Sequence, residues 1–141
     1  MSYDNGNVFA RILRGEIPAH KVFEDEATLA FMDVMPESDG HTLVVPKAPA
    51  ENLFDLSPAD LGQLIQATQK VAVAIRTAFQ PDGLTLMQFN GPEAGQTVFH
   101  IHFHIVPRDA GVGLRSHSRQ MADQVLLADH AQRIRAALGK P

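Results

Sequence analysis

Residues 97–107 read TVFHIHFHIVP, and within this stretch His100, His102 and His104 alternate with apolar residues. Successive side chains of an extended strand point to opposite faces, so the spacing predicts a strand over 97–107 with all three imidazoles on one face. A rise of about 3.3 Å per residue would place neighbouring imidazoles about 6.6 Å apart. The opposite face would pack into a core through Phe99, Ile101, Phe103 and Ile105.

The hydrophobic pattern predicts three helices along the rest of the chain. A short helix over 7–14 would begin at Asn7 as its N-cap. A long helix would begin after Ser57 and end before Gln80, which precedes a proline. A C-terminal helix over 119–138 would turn Met121, Val125, Leu126, Ala131, Ile134 and Leu138 inward. Among the remaining histidines, we expect His20, His117 and His130 at the surface.

The strand signals complete an α+β fold. Besides the histidine-bearing stretch, the sequence predicts strands at residues 21–24, 28–33, 42–45 and 84–89. We therefore expect an antiparallel sheet of about five strands, packed against the long central helix, the short N-terminal helix and the C-terminal helix.

The composition predicts one folded domain, residues 1–141, and limits the classes of function. The chain is 45% hydrophobic and 20% charged, as expected for a globular protein with a single core. Its net charge of −4 argues against a partner such as nucleic acid or an anionic membrane. With no cysteine, disulfides and thiolate nucleophiles are excluded. The sequence shows neither a secretory signal nor a long apolar run, so we expect a cytoplasmic protein.

Three interpretations of the alternating histidines compete. They could be unrelated surface residues, although three in register make this an uncommon accident. They could bind a metal ion, since imidazole is a frequent ligand, but a third ligand along one strand would overshoot a tetrahedral ion. One of them could instead attack phosphorus, with its neighbours orienting the ring and protonating the leaving group.

The loop before the histidines suits an anion. Gly91 and Gly95 allow backbone N–H groups to converge, and the neutral side chains of Asn90, Gln96 and Thr97 add possible hydrogen-bond donors. Because this loop leads directly into the histidines, the pattern favours the phosphorus chemistry.

These residues resemble the histidine triad (HIT) family, whose signature is His-φ-His-φ-His-φ-φ with φ hydrophobic. Residues 100–106 match it at every position. The Hint-like branch, bacterial type, is similar to this chain in its opening helix, first strands and pre-histidine loop, here residues 8–19, 29–34, 41–47 and 90–98. The resemblance covers a core of about 7–108, followed by a helical tail over 109–141.

The resemblance implies a HIT-like fold and a hydrolase or nucleotidyl transferase, such as a purine nucleoside phosphoramidase, acting at the α-phosphate of purine nucleotides. His102 would be the nucleophile and form a nucleotidyl-histidine intermediate. His104 would contact the phosphate and the leaving group, His100 would orient the nucleophile, and His41 would join a proton relay. Phosphate or leaving-group oxygens would be held by Asn90, Gln96 and Thr97. The nucleoside would be held by Asp33 at the ribose and by Phe9, Ile12, Phe31 and Val34 around the purine.

The resemblance also implies a homodimer whose sheet continues across the two subunits, and it requires neither a cofactor nor a catalytic metal. Two alternatives remain: a dinucleoside polyphosphate hydrolase, and a non-catalytic purine nucleotide sensor or adaptor. The chain departs from many bacterial members at their structural zinc site. Asn7 and Ala10 stand where a Cys-x-x-Cys pair is common, and Pro49 stands close to where a further histidine is common. We therefore expect no structural zinc.

Overall fold

The computed structural model describes residues 3–115 and 120–139, and these residues form three α-helices and one five-stranded sheet. The helices are α1 (Val8–Leu13), α2 (Pro58–Phe79) and α3 (Gln124–Leu138). The first two begin as predicted: Asn7 accepts a hydrogen bond from the backbone of Ala10, and Ser57 accepts one from that of Asp60. The last turn of α2 ends at Gln80 in the left-handed conformation.

The sheet is antiparallel throughout, which confirms the predicted fold class. Its strands are β1 (Lys21–Glu24), β2 (Thr28–Met32), β3 (Thr42–Pro46), β4 (Gly83–Met87) and β5 (Phe103–Arg108). They lie in the order β1-β2-β3-β5-β4. The central strands β2 and β3 are buried on both faces, which explains why their sequences are continuously apolar.

Two apolar clusters lie on opposite faces of this sheet. One joins α2 and α3 to the sheet through residues such as Ala30 and Val44. The other joins α1 to the neighbouring residues of the same strands, including Leu29, Phe31 and Leu43. The alternation along β2 and β3 follows from the two-residue period of a strand. One face is therefore covered by two long helices and the other only by the short α1.

The predicted strand over 97–107 is wrong in its first half, because β5 begins only at Phe103. The pairing of β3 with β5 ends at Val44 and Phe103. Beyond this point the carbonyl of Pro46 accepts a hydrogen bond from the side chain of His100, at 2.8 Å, and not from a backbone N–H. The chain before β5 therefore follows an irregular path, and the three histidines do not form one evenly spaced row.

The predicted inward face of the C-terminal helix is also partly wrong. Ala131 and Ile134 are buried as expected, but Met121, Val125 and Leu126 are exposed by 55%, 76% and 41%. Their places in the core are taken by Leu127, His130 and Ala137. His130 is thus a core residue and not a surface one, and its ring meets that of Phe79 edge to face. His117 and the predicted start of the helix at Arg119 lie outside the described residues.

Within residues 3–115 and 120–139, each helix is too short or too polar to traverse a lipid bilayer.

Candidate active site

A cavity of about 660 Å³ opens beside α1, on the sheet face that α2 and α3 do not cover. All five residues expected at the nucleoside line it, namely Phe9, Ile12, Phe31, Asp33 and Val34. Thr97, His102 and His104 line it as well. The fold thus brings predicted site residues from distant parts of the sequence, such as Phe9 and His104, into one cavity.

His102 has one ring nitrogen turned to the protein backbone. Its Nδ1 donates to the carbonyl of His100 at 2.7 Å. The neutral ring then carries its proton on Nδ1 and its lone pair on Nε2, the form that a nucleophilic imidazole requires. The edge-to-face contact with Phe9, with ring centroids 4.8 Å apart, packs the ring on its other side.

His41 and His104 form a hydrogen-bonded pair of buried imidazoles. The backbone N–H of Glu37 donates to His41 Nδ1 at 3.0 Å, so the proton of the neutral His41 ring is on Nε2. That nitrogen lies 3.0 Å from His104 Nδ1 and 3.4 Å from Asp33 Oδ2. His104 accepts through Nδ1, and the proton of its neutral ring is therefore on Nε2. The pair can supply a proton donor beside His102, because the rings of His102 and His104 are only 4.9 Å apart.

The loop that carries His41 is fixed by close packing on its far side. Gly40 has a φ of +91°, and a Cβ at this position would lie 3.2 Å from both Phe79 and Pro107. Glycine avoids both the contact and the cost of the left-handed conformation. Ser38 adds a hydrogen bond of 2.6 Å from its hydroxyl to the carbonyl of Pro107.

His100 is fully buried, and the described lining of the cavity does not include it. Its Nε2 donates to the Pro46 carbonyl and its Nδ1 accepts from the hydroxyl of Tyr3. Asn7 in turn donates to the Tyr3 hydroxyl at 2.9 Å. Burial lowers the pKa of His100 and raises that of Tyr3, so both groups stay neutral. Sequence reasoning missed Tyr3, which lies 97 positions from its partner in a polar segment without a motif.

The zinc ligands that the family resemblance implies at residues 7–10 and near Pro49 are replaced here by other groups. The side chains of Ala10 and Pro49 have no ligand atom, and Asn7 caps α1 while donating to Tyr3. Both ring nitrogens of His100 are engaged by Tyr3 and the backbone. The residues at this position therefore do not fit a zinc site, and a hydrogen-bonded chain joins the N-terminal segment to the first histidine.

The metal interpretation of the three alternating histidines does not fit their geometry either, because His100 uses both nitrogens elsewhere and His102 uses Nδ1 for the backbone. Among the described residues, the ligand atoms that do approach one another belong to Asp33, His41 and His104, within 4.8 Å. Two of these contacts are the hydrogen-bonding distances described above.

The side-chain amides of Asn90 and Gln96, in the loop that precedes the histidines, form hydrogen bonds with the protein itself. Gln96 accepts from the backbone of Gly91 and donates to the carbonyls of Glu51 and Val98. Asn90 accepts from the backbone of Leu53 at 2.8 Å. The described lining of the cavity includes neither of them, whereas their neighbour Thr97 belongs to it.

Two cavity residues come from the C-terminal segment and were not expected there. Met121 was predicted to be in the core, and Gln124 was given no role. Both line the cavity. The signal that could have placed Gln124 is the helical register of α3, because Gln124 lies on the same side of the helix as the buried Leu127 and Ala131.

An antiparallel sheet with a His-x-His-x-His run, beside an apolar cavity and above a buried His–His pair, defines a histidine triad protein. The chain belongs to the HIT domain family, whose profile matches residues 14–111. It is 46% identical over 101 residues to Protein hit of Bacillus subtilis, covering 72% of this chain and 70% of that protein. It is 39% identical over 101 residues to adenosine 5'-monophosphoramidase hnt1 of Schizosaccharomyces pombe, covering 72% and 73%.

The crystal structure of a Hit-like protein from Bartonella henselae is similar over nearly the whole chain. Its TM-score is 0.92 at 46% sequence identity, and the match covers 97% of this chain and 99% of that one. The similarity therefore extends past the family profile into the C-terminal region.

Proposed function

We propose that this protein hydrolyses purine nucleoside 5'-phosphoramidates at the α-phosphorus. The observation that carries the proposal is the orientation of His102, whose Nδ1 is held by the His100 carbonyl while its ring lines the cavity. The name of the fission-yeast relative, an adenosine 5'-monophosphoramidase, supports the same chemistry. Family membership alone supports the coarser class, a nucleotide hydrolase.

The first step is attack by His102 Nε2 on the α-phosphorus. The new N–P bond forms as the bond from phosphorus to the leaving nitrogen breaks. The leaving amine takes a proton from His104 Nε2 when the hydrogen-bonded group of His104, His41 and Asp33 carries one additional proton. His41, whose Nε2 lies 3.0 Å from His104 Nδ1 and 3.4 Å from Asp33 Oδ2, can share this additional proton. In the second step water attacks the nucleotidyl-histidine, a proton returns to His104, and the nucleoside monophosphate leaves. The two steps together consume one water molecule and regenerate the enzyme.

The cavity walls supply the binding groups. Phe9, Ile12, Phe31 and Val34 would enclose the purine, and the carboxylate of Asp33 would accept hydrogen bonds from the ribose hydroxyls. Thr97 would contact the phosphate. The loop contacts of Asn90 and Gln96 favour an indirect role, in which they shape the backbone that faces the phosphate.

A trapping experiment tests the mechanism. Brief incubation with adenosine 5'-phosphoramidate, followed by a neutral denaturing quench and peptide mass spectrometry, should place an adenylyl group on His102. The variant His102→Ala should lose turnover and still bind AMP, which shows that it remains folded. Turnover that persists in this variant, or an adduct on another residue, would refute the proposal.

AMP binding without turnover of any nucleotide substrate would favour a sensor. A higher kcat/KM for dinucleoside polyphosphates than for phosphoramidates would favour a dinucleoside polyphosphate hydrolase.

We also propose that the whole chain is one domain and that it acts as a homodimer. The described part of α3 contributes Leu127 and Ile134 to the same core as α2.

Strand β4 lies at the edge of the sheet, where Leu84 and Leu86 are exposed by 37% and 49%. Such an apolar edge is a site for pairing with a second copy. Light scattering should give twice the chain mass, and Leu86→Glu should reduce it to the monomer.

A further inference from the structure

The segment before α3 is fixed against the cavity. The backbone N–H of Ala122 donates to the carbonyl of Val34 at 2.9 Å. Asp123 caps the helix by accepting from the backbone of Val125. The helix itself is anchored by Leu127 and Ile134, which are almost fully buried. Met121 and Gln124 therefore have defined positions in the cavity wall, at the end occupied by Val34.

Gln124 is the polar group of the cavity to which the proposed mechanism gives no role. Among the described lining residues, those with a nitrogen or oxygen in the side chain are Asp33, Thr97, His102, His104 and Gln124. The first four are assigned to ribose, phosphate and the leaving group. A purine between the apolar walls still has polar edges, and these need partners when the base leaves water.

The orientation of the Gln124 amide follows from its neighbour. His20 Nε2 lies 2.7 Å from Gln124 Oε1, so the imidazole donates and the amide oxygen accepts. The amide oxygen is thus turned toward His20, and we take the amide nitrogen, which carries two donors, as the part of Gln124 that is turned toward a ligand. Sequence reasoning assigned no role to His20, and this contact supplies one.

We propose that Gln124 recognises the base and favours a 6-oxopurine, such as guanine, over adenine. A 6-oxopurine has two adjacent acceptors, O6 and N7, whereas adenine has a donor, N6, beside N7. An amide nitrogen at this edge can donate to both O6 and N7 of a 6-oxopurine, whereas beside adenine it meets the N6 donor and can pair with N7 alone. The inference rests on the proposed function for the place of the base, and it adds the class of base to that function.

Calorimetric titration of the full chain with GMP and AMP tests the inference without turnover. The wild type should bind GMP about 3- to 10-fold more tightly than AMP, the range expected for one hydrogen bond. In Gln124→Leu, which keeps the size but removes the amide, the ratio should fall to about 1 through weaker GMP binding. In Gln124→Glu the carboxylate can still accept from His20 but offers no donor, and the ratio should fall below 1.

Two further variants separate base recognition from other effects. Gln132→Leu removes an exposed glutamine from the same helix, away from the cavity, and should leave both affinities unchanged. Met121→Ala removes an apolar wall and should weaken GMP and AMP equally. Equal affinities in the wild type, or a ratio that Gln124→Leu does not change, would overturn the inference.

Turnover distinguishes this inference from the proposed function. A Gln124-dependent affinity ratio in a protein that turns over no phosphoramidate would refute the phosphoramidase mechanism and support base recognition. Phosphoramidate turnover with no effect of Gln124 on the affinity ratio would do the opposite. Failure to bind either nucleotide would overturn both.

Discussion

His100 and His102 are two residues apart and share one motif, yet their surroundings differ in almost every respect. His100 has both ring nitrogens bonded to the protein, one by Tyr3 and the other by the backbone of Pro46. His102 has one nitrogen bonded to the backbone, and its ring lines a cavity. Neighbouring histidines of one motif therefore differ in their access to the cavity, because His100 is enclosed by the protein whereas the ring of His102 lines the cavity.

The same comparison extends to His41 and His104. His41 is bonded through both ring nitrogens, to the backbone of Glu37 and to His104, and the ring of His104 lines the cavity. We refer to His100, Tyr3 and Pro46 as the scaffold side of the site, and to His102 and His104, which line the cavity, as its proposed reactive side.

The largest effect is expected on the reactive side. His104→Asn should lower kcat for a nucleoside phosphoramidate by roughly 10²- to 10⁴-fold, because the departing amine loses its proton donor. With a nitrophenyl ester of the same nucleotide the loss should be much smaller, since a phenolate leaves without protonation. Steady-state kinetics on the two substrates measure the difference. Equal losses would show that His104 does not protonate the leaving group.

On the scaffold side, we expect a loss of stability. His100→Asn should lower the free energy of unfolding by about 2 kcal/mol, because it leaves the Tyr3 hydroxyl and the Pro46 carbonyl without their buried partner. His102→Asn, beside the cavity, should cost less than about 1 kcal/mol. Urea denaturation of both variants checks the contrast. A larger loss of stability in His102→Asn than in His100→Asn would contradict the assignment of the scaffold role to His100.

A smaller effect is expected at the end of the scaffold chain. Tyr3→Phe keeps the ring but removes the hydroxyl that links Asn7 to His100, and should cost about 1 kcal/mol in urea denaturation. Asn5→Ala, in the same segment, should stay within about 0.5 kcal/mol of the wild type, since Asn5 makes its contact with Arg14 through the backbone. Indistinguishable stabilities for these two variants would mean that the hydroxyl does not contribute.

The mildest test uses pH. Burial lowers the pKa of His100 and of His130 below the ordinary value of 6.5. In the unfolded chain both titrate near 6.5, so below that pH the unfolded state takes up protons that the folded state refuses. Above about pH 6.5 both histidines are neutral in either state and the full free energy of unfolding is retained. It falls as the pH drops from about 6.5 toward the lower pKa values of the folded state. The free energy of unfolding should therefore decline below pH 6.5, and less steeply in His130→Leu. An equal slope in that variant would contradict the assignment for His130.

Much of the fold was accessible from local signals. The N-caps at Asn7 and Ser57, and the apolar runs of β2 and β3, act over a few residues and predict their elements directly. The family signature then pointed to the residues that meet in the cavity. What these signals specify is the backbone path and the side of the sheet.

The rest depended on contacts that no local pattern encodes. The early end of the β3–β5 pairing arises because one side chain, His100, takes a carbonyl that a strand partner would use. The face of α3 was misjudged because its buried stripe contains His130 and alanines, which rank below Val125 and Leu126 in hydrophobicity. The stripe is selected by the space left between α2 and the sheet, which is a property of the whole domain.

Gly40 joins the reactive site to the opposite side of the molecule. Because it lies between Phe79 and Pro107, any side chain at position 40 would press on the aromatic ring of Phe79 in α2 and on the side-chain ring of Pro107 in β5. Mutational tolerance at this position should be among the lowest in the domain, although Gly40 does not belong to the described lining of the cavity. A smaller side chain at position 79 should remove the ring that packs against Gly40. We expect the loop that carries His41 to shift in such a variant and the catalytic rate to change.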